Sequence, residues 1–386
     1  MAQTNISGVR YSGIWSMQSQ MQAVAAGTWP VVPALYTWGY NAYGQLGLGD
    51  AANRSSPVQV GASTTWSAIA AAGNSCSIAT KTNGTLWVWG RNFYGQLGQN
   101  DVIDRSSPTQ VGALTTWLNI AIGNYQSIVT KTNGTLWTWG RNNTGQLGQG
   151  DVILRSSPVQ VGALTTWLNI AGGYGHTVAT KTDGTLWTWG YNNRGQLGQN
   201  DVVDRSSPTQ VGALTTWSNI ATSNYTTLAI KTDGTLWTWG QNSYGQLGQG
   251  DVVYRSSPVQ VGALTTWSKT SAGGTKTVAM KTDGTLWLWG SNNYGQLGQG
   301  DVVNRSSPTQ VGALTTWLNI TGTGYQTVAT KTDGTLWTWG RNNYGQLGLN
   351  SAGATNRSSP VQVGASTTWS SIASGNYYII ALGKTS

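Results

Sequence analysis

Apolar and polar residues alternate in short bursts along this chain, and residues 167–210 show the pattern once in full. Residues 169–171 and 176–181 carry the two-residue period of strands, with Gly172 and Gly173 between them. Asp183-Gly184 predicts a two-residue hairpin of type I′, whose central positions both want positive φ. Residues 185–189 alternate as a third strand, with Leu186 on one face and Trp187 and Trp189 on the other. A polar loop from Tyr191 to Asp204 leads through Arg205-Ser206-Ser207-Pro208 into a short fourth strand over 209–211. Proline at its start suits an outer edge, where a missing N–H costs little.

This unit recurs. Trp-Gly ends at Gly39, Gly90, Gly140, Gly190, Gly240, Gly290 and Gly340, with a first step of 51 and a spacing of 50 thereafter. Thr-Thr-Trp recurs at Trp66, Trp117, Trp167, Trp217, Trp267, Trp317 and Trp369. Repeats of this length made of four short strands predict an all-β, seven-bladed β-propeller over residues 34–386. The last unit stops before its Leu-Trp-x-Trp-Gly strand, and the first begins with that strand alone, Leu35 to Gly39. The two fragments make one blade, so pairing of N- and C-terminal strands is expected to close the ring.

Residues 1–33 stand outside the repeat and are expected to be an anchor or docking segment with a linker. A short helix is expected over 14–26, an extended linker over 31–33, and Trp15 and Trp29 are the candidate anchoring side chains. No apolar core of a secretory signal is present.

Composition narrows the chemistry. Charged residues are 9% of the chain, all the acids are Asp, and His and Cys occur once each. One Cys forms no intrachain disulfide, a Cys/His zinc site is out of reach, and no apolar run is long enough for a membrane helix. General acid–base catalysis has few groups to draw on. The expectation is a non-enzyme with no cofactor, no metal and no membrane insertion. A low-charge, Thr/Asn/Gly-rich surface without an export signal suits a phage virion protein, which leaves the cell by assembly and lysis; a cytoplasmic location is the alternative.

The recurring Trp-Gly-x-Asn-x-x-Gly-Gln-Leu-Gly, as in Trp89 to Gly98, followed by Pro-x-x-Val, resembles the RCC1-like repeat family. The resemblance implies a seven-bladed propeller. Members include exchange factors for a small GTPase, ubiquitin-ligase modules, a plant UV-B photoreceptor and an inhibitor of β-lactamases. Where the family often places His after the glycine of the second strand, this chain reads Cys76, Gln126, His176, Thr226, Lys276, Gln326 and Tyr378, which departs from the exchange-factor pattern. Gly173-Tyr174-Gly175-His176-Thr177 answers the photoreceptor motif but lacks its chromophoric Trp. The run from Gly13 to Pro30 resembles short leaders before repeat domains in tailed-phage structural proteins.

The 21 basic residues sort into seven Arg of Arg-Ser-Ser-Pro, seven hairpin Lys and seven scattered ones. The net charge of +9 could attract anions, but one charge per blade does not follow a phosphate backbone, so no nucleic-acid partner is expected. The repeated Arg is expected to hold loop carbonyls or the nearby Asp. Twenty of the 22 Trp occupy three repeat positions, where they are expected to fill the blade interfaces. His176 is expected on a surface loop, and Cys76 as an unreactive thiol.

Differences between units gather in three clusters: the entry to the second strand, the loop after Trp-Gly, and the residues before Arg-Ser-Ser-Pro. They supply the candidate binding residues Tyr40, Arg91, Tyr94, Tyr125, Arg141, Tyr174, His176, Tyr191, Arg194, Tyr225, Tyr244, Tyr254, Lys276, Tyr325, Arg341 and Tyr377. Tyr and Arg on scaffold loops are the residue types of recognition surfaces. The reading is a virion structural or attachment protein whose loops bind a host-surface glycan or protein, or neighbouring virion subunits. Other virion proteins would be held through residues 1–33. A cellular RCC1-like protein-binding module, regulating a small GTPase or inhibiting an enzyme, is the alternative.

Overall fold

The computed structural model describes residues 4–6, 9–11, 33–73, 76–322, 324–351 and 355–384. Each repeat folds into a four-stranded antiparallel sheet, and seven such sheets form. In the unit read above the strands are Trp167–Gly172, His176–Lys181, Leu186–Gly190 and Arg205–Gln210, each paired with the next. Blades I to VI span 66–110, 117–160, 167–210, 217–260, 267–310 and 317–362. Their first strands touch all the way round, including the step from blade VII back to blade I, so the first strands surround the axis and the ring is closed. The described residues are all-β.

Blade VII is shared between the chain ends. Its order is Trp369–Ser374, Tyr378–Lys384, Pro33–Gly39 and Arg54–Gln59. The clasp runs from Pro33↔Lys384 to Gly39↔Tyr378, seven register pairs where the equivalent strands of blade III make five. Pro33, read as linker, is therefore the first residue of a strand. A separate hairpin, Thr4–Ile6 with Val9–Tyr11, was not foreseen. The helix expected over 14–26 and the anchors Trp15 and Trp29 lie outside the described residues.

Side-chain alternation on the third strand builds the interfaces. Leu186 packs with Val178, Val211, Trp217, Ala229 and Trp239 of the blade III–IV contact. Trp189, facing the other way, packs with Ile128, Leu136 and Val161 of blade II. The seven Trp of Trp-Gly are fully buried, each contributing roughly 4–6 kcal/mol of transfer free energy as an upper value. Each also donates its indole N–H into the preceding blade, as Trp189 Nε1 does to Gln146 O at 3.0 Å. The second glycine of Gly-Gln-Leu-Gly answers this contact: Gly148 has φ +71°, and a Cβ there would stand 2.7 Å from Trp189 Nε1.

The rest of the signature folds its own loop. Asn192 Oδ1 accepts from Leu197 N, its Nδ2 donates to Asp201, and Gln196 Oε1 accepts from Arg194 N. Arg205 bonds Asp201 at 2.6 Å and Val203 O at 2.8 Å, the scaffold role expected of the repeated Arg. Two local expectations are corrected. The Asp183-Gly184 turn is not type I′, because only Gly184 has positive φ (+77°). Gly184 N bonds Lys181 O and Lys181 N bonds Thr185 O, giving a three-residue loop that ends in a left-handed glycine. Asp183 Oδ1 accepts from both the N–H and the hydroxyl of Thr185, which secures that loop. The fourth strand starts at Arg205, not at 209; Pro208 lies within it and is tolerated because this strand is a sheet edge.

Candidate functional site

Strand register brings the three variable clusters to one face of the ring. The second strand begins at His176, which pairs with Gly190 at the end of the third, and Gly190 pairs with Arg205 at the start of the fourth. Tyr191 N then bonds Gly175 O, and Asn192 N bonds Asp204 Oδ1. The opposite face carries the hairpin Lys, the Asp/Asn-Gly turns and the Gly-Ala-Leu-Thr-Thr links, which hardly differ between units. There Lys181 Nζ stands 3.5 Å from the Trp187 ring.

On the variable face, tyrosines from successive blades form an arc of ring contacts. Tyr294 meets Tyr325 at 5.2 Å, Tyr325 stacks on Tyr377 at 5.7 Å, and Tyr377 meets Tyr344 at 5.4 Å. Tyr344 meets Tyr40 at 4.8 Å, and Tyr40 meets Tyr43 at 6.3 Å. Beyond Arg91 the arc resumes with Phe93, Tyr94, Tyr125, Tyr174, Tyr225 and Tyr191, in contacts of 4.8 to 6.4 Å.

Guanidinium groups join the rings across blade borders. Arg141 lies 5.5 Å from Tyr94 of blade I, 5.7 Å from Tyr125 of blade II and 5.7 Å from Tyr174 of blade III. Arg341 repeats this with Tyr294, Tyr325 and Tyr377 at 4.9 to 5.3 Å. Arg91 sits over Tyr43 at 4.6 Å and near Phe93 and Tyr125. Such contacts contribute about 0.5–1 kcal/mol each at exposed sites. In blade VII, Tyr40 takes the arginine position. The arc opens at blade V, where Thr275 and the buried Ser291 replace the aromatic or charged residues. Burial raises the hydroxyl pKa of Tyr40, Tyr225 and Tyr377, and neighbouring tyrosines add to the shift.

Arg194, Tyr244 and Tyr254 lie further along the same face. Tyr244 and Tyr254 are exposed, and the Tyr254 hydroxyl meets Arg194 Nη1 at 3.3 Å and Ser243 Oγ at 2.6 Å.

Two candidates are misplaced. His176 is fully buried, not on a surface loop, and its Nε2 lies 3.1 Å from Thr227 Oγ1 of the next blade. Burial lowers its pKa to about 3. Lys276 is buried too; its Nζ donates to Gly324 O and Gln326 O, and burial lowers its pKa to about 7. Neither side chain reaches the surface of the variable face. Their position in each unit points between blades: Gln126 and Gln326 reach carbonyls of the following blade, and the Tyr378 hydroxyl bonds Cys76 O. Cys76 is buried, which pushes its thiol up to about 12.

Reading the differences between units missed Tyr43, Tyr294 and Tyr344. Tyr94, Arg194 and Tyr244 at the same position were singled out, and the three were passed over because Tyr is the commonest residue there; a search for surface aromatics would have found all five tyrosines. Among the described residues no three His, Cys, Asp or Glu side chains converge as metal ligands. The arrangement offers contact chemistry: flat rings, guanidinium forks and amides on turns of a rigid ring.

The family model for the RCC1-like domain matches residues 115–320, and that for the Regulator of chromosome condensation (RCC1) repeat matches 34–80, 83–130 and 333–382. The chain is 37% identical over 106 residues to human probable E3 ubiquitin-protein ligase HERC3, a match covering 26% of this chain and 10% of that protein. It is 38% identical over 79 residues to the Arabidopsis thaliana ultraviolet-B receptor UVR8, covering 20% of this chain and 18% of the receptor. The chain thus spans a small part of these relatives. Among solved structures, Prp20p from Saccharomyces cerevisiae superposes with a TM-score of 0.83 at 20% identity, over 92% of this chain and 93% of that one. Human WBSCR16 gives 0.80 at 21% identity, over 92% and 99%. At these identities the likeness is one of fold.

Proposed function

This chain belongs to the RCC1-like domain family, and from that premise we propose that it is a non-enzymatic binding protein that takes its partner on the tyrosine–arginine face. The carrying observation is that all three variable clusters meet on one face while the other stays nearly uniform. A rigid scaffold with adaptable Tyr, Arg and Asn on its turns is how many recognition surfaces are made.

In the finer reading the chain is a virion structural or attachment protein, docked through residues 1–33 and displaying this face to a host-surface glycan or protein. Its support is the leader-like run from Gly13 to Pro30 and the low-charge surface. Mass-spectrometric peptides of the chain in purified tailed-phage particles, lost when residues 1–32 are deleted, are the expected result; recovery from the cellular fraction alone would overturn it. The second reading, a cellular protein-binding module, draws on Prp20p, whose structure was described together with its binding to Gsp1p and histones.

Binding itself is tested by screening the full chain on glycan and protein arrays. A hit that Tyr125→Ala with Tyr325→Ala removes, and that a substitution on the opposite face such as Asp183→Asn leaves intact, is the outcome expected. A hit indifferent to the tyrosine pair would place the site elsewhere.

A further inference from the structure

The charges on the variable face are unevenly answered. Every ion pair among the described residues joins an Arg of Arg-Ser-Ser-Pro to the Asp four residues before it. Asp104 and Asp204, the remaining acids of this face, accept the backbone N–H of Asn92 and Asn192. Arg91, Arg141 and Arg341 are left without a carboxylate among the described residues, each laid against three aromatic rings. Arg341 Nε is enclosed among those rings and has no acceptor. The three lie on one continuous arc, blades VI, VII, I and II, with Tyr40 between Arg341 and Arg91.

The relief of the face limits what fits. Its central concavity, between the inner turns of six blades, holds about 30 Å³, room for little more than a water. The axis therefore has no room for a sugar ring, and the arc carries the longest run of ring contacts on the face. The turns beside it have already used their backbone N–H groups: Asn124 N bonds Gly173 O and Tyr174 N bonds Asn224 O on the following blades, and Tyr191 N bonds Gly175 O within blade III. An added peptide strand finds little free backbone there, and β-augmentation depends on it. Flat aromatic rings spaced about one ring apart suit the apolar CH faces of sugars, and guanidinium forks suit carboxylates held in a plane.

We infer that this face binds an acidic polysaccharide, its carboxylates held by Arg91, Arg141 and Arg341 and its sugar rings laid on the adjoining tyrosines. The inference rests on the reading of this face as the binding surface. It specifies a uronic- or sialic-acid-bearing chain rather than a neutral glycan.

The test is binding of the full chain to immobilised oligogalacturonate, compared with neutral dextran, poly-glutamate and single-stranded oligothymidylate of similar length, at low and physiological salt. Two double variants accompany it, Arg141→Gln with Arg341→Gln and Tyr125→Ala with Tyr325→Ala, each checked for the near-ultraviolet dichroism of the packed tryptophans. The expected result is selective oligogalacturonate binding that weakens with salt and falls about tenfold or more in either double variant. Equal binding of dextran, preference for poly-glutamate or oligothymidylate, no effect of the arginine pair, or no binding at all would each overturn the inference. Dextran binding lost with the tyrosine pair but not with the arginine pair overturns the acidic assignment alone and leaves the face as the site. Binding that survives both pairs overturns the face as well.

Discussion

His176 Nε2 lies 3.1 Å from Thr227 Oγ1, a contact that crosses from blade III to blade IV inside the ring. The other ring nitrogen, Nδ1, has no partner and no access to solvent. A neutral imidazole satisfies this site with one bond, whereas an imidazolium would bury a charge without a counter-ion. The side chain stitches blades together, and its chemistry concerns stability.

The first prediction follows from that. The folded-state pKa of His176 is lowered from 6.5 to about 3, so between these values the unfolded chain binds a proton that the folded chain does not. Stability therefore falls as pH drops from 6.5 towards 3. His176→Gln places there the residue that blades II and VI already use at this position. Urea unfolding at pH 6.5 and 4.5, above most carboxylate titration, should show a smaller loss in the variant than in the parent chain. Equal losses would show that His176 does not titrate across the unfolding transition.

Lys276 supplies the second prediction, in a higher window. Its pKa is lowered from 10.5 to about 7 by burial, so the unfolded chain holds the extra proton between pH 7 and 10.5 and stability rises with pH across that range. Below pH 7 this group adds no further slope. Lys276→Gln should flatten the rise and stabilise the protein at pH 7 by about 1–2 kcal/mol, as removal of an unpaired buried charge does. Thermal melts at pH 7 and 9.5 check both points; a variant that melts lower at both would show that the two carbonyl bonds of Nζ outweigh the cost of its burial.

These two residues also mark where the sequence stopped being readable. The ring, the blade count and the shared blade VII follow from spacing alone, because a period of four short strands has few ways to bury Leu186 on one side and Trp189 on the other. That the clusters share one face needed strand register. Tyr125 and Gln126 are neighbours in one variable cluster, yet one lies on the face and the other reaches between blades. No period in the sequence separates them, since both vary with the same freedom. The Asp183-Gly184 turn was misread for a similar reason: the dipeptide suits two loop types, and the hydrogen bonds Asp183 makes to Thr185 decide between them.

A third prediction concerns the signature glycines, which look alike but do different work. Gly148 has φ +71° and its missing Cβ leaves room for Trp189, whereas Gly150, at φ +80°, meets nothing nearer than Ser207 Oγ at 3.7 Å. Asn already occupies the place of Gly150 in other units, as Asn100, Asn200 and Asn350, with φ of 55° to 63°. Gly150→Asn should be nearly neutral, within about 0.5 kcal/mol, while Gly148→Ala should cost about 2 kcal/mol or more through strain and the displaced indole. Urea midpoints of the two variants decide it, and a Gly148→Ala chain as stable as its parent would mean that the blade II–III contact yields freely.

The clasp gives the last prediction. The strand Tyr378–Lys384 is held by Trp369–Ser374 on one side and by Pro33–Gly39 on the other. Removing residues 376–386 would strip Pro33–Gly39 of its inner partner and split blade VII into two unjoined pieces. It would also take away Ile379, Ile380, Ala381 and Leu382, all buried, and open a run of unpaired backbone at the gap. Blades I to VI are each continuous in sequence and keep their own ladders, so strand content should survive. What should fail is the closed ring: a lower urea midpoint, a less cooperative transition and association through the open edge. Size-exclusion chromatography and urea unfolding of the shortened chain, with the missing strand supplied in trans as a peptide of residues 376–386, test this directly. Return to the parent's elution volume with the peptide bound is the expected outcome, and a shortened chain that elutes and unfolds like the parent without it would show that the seven pairs of the clasp are dispensable.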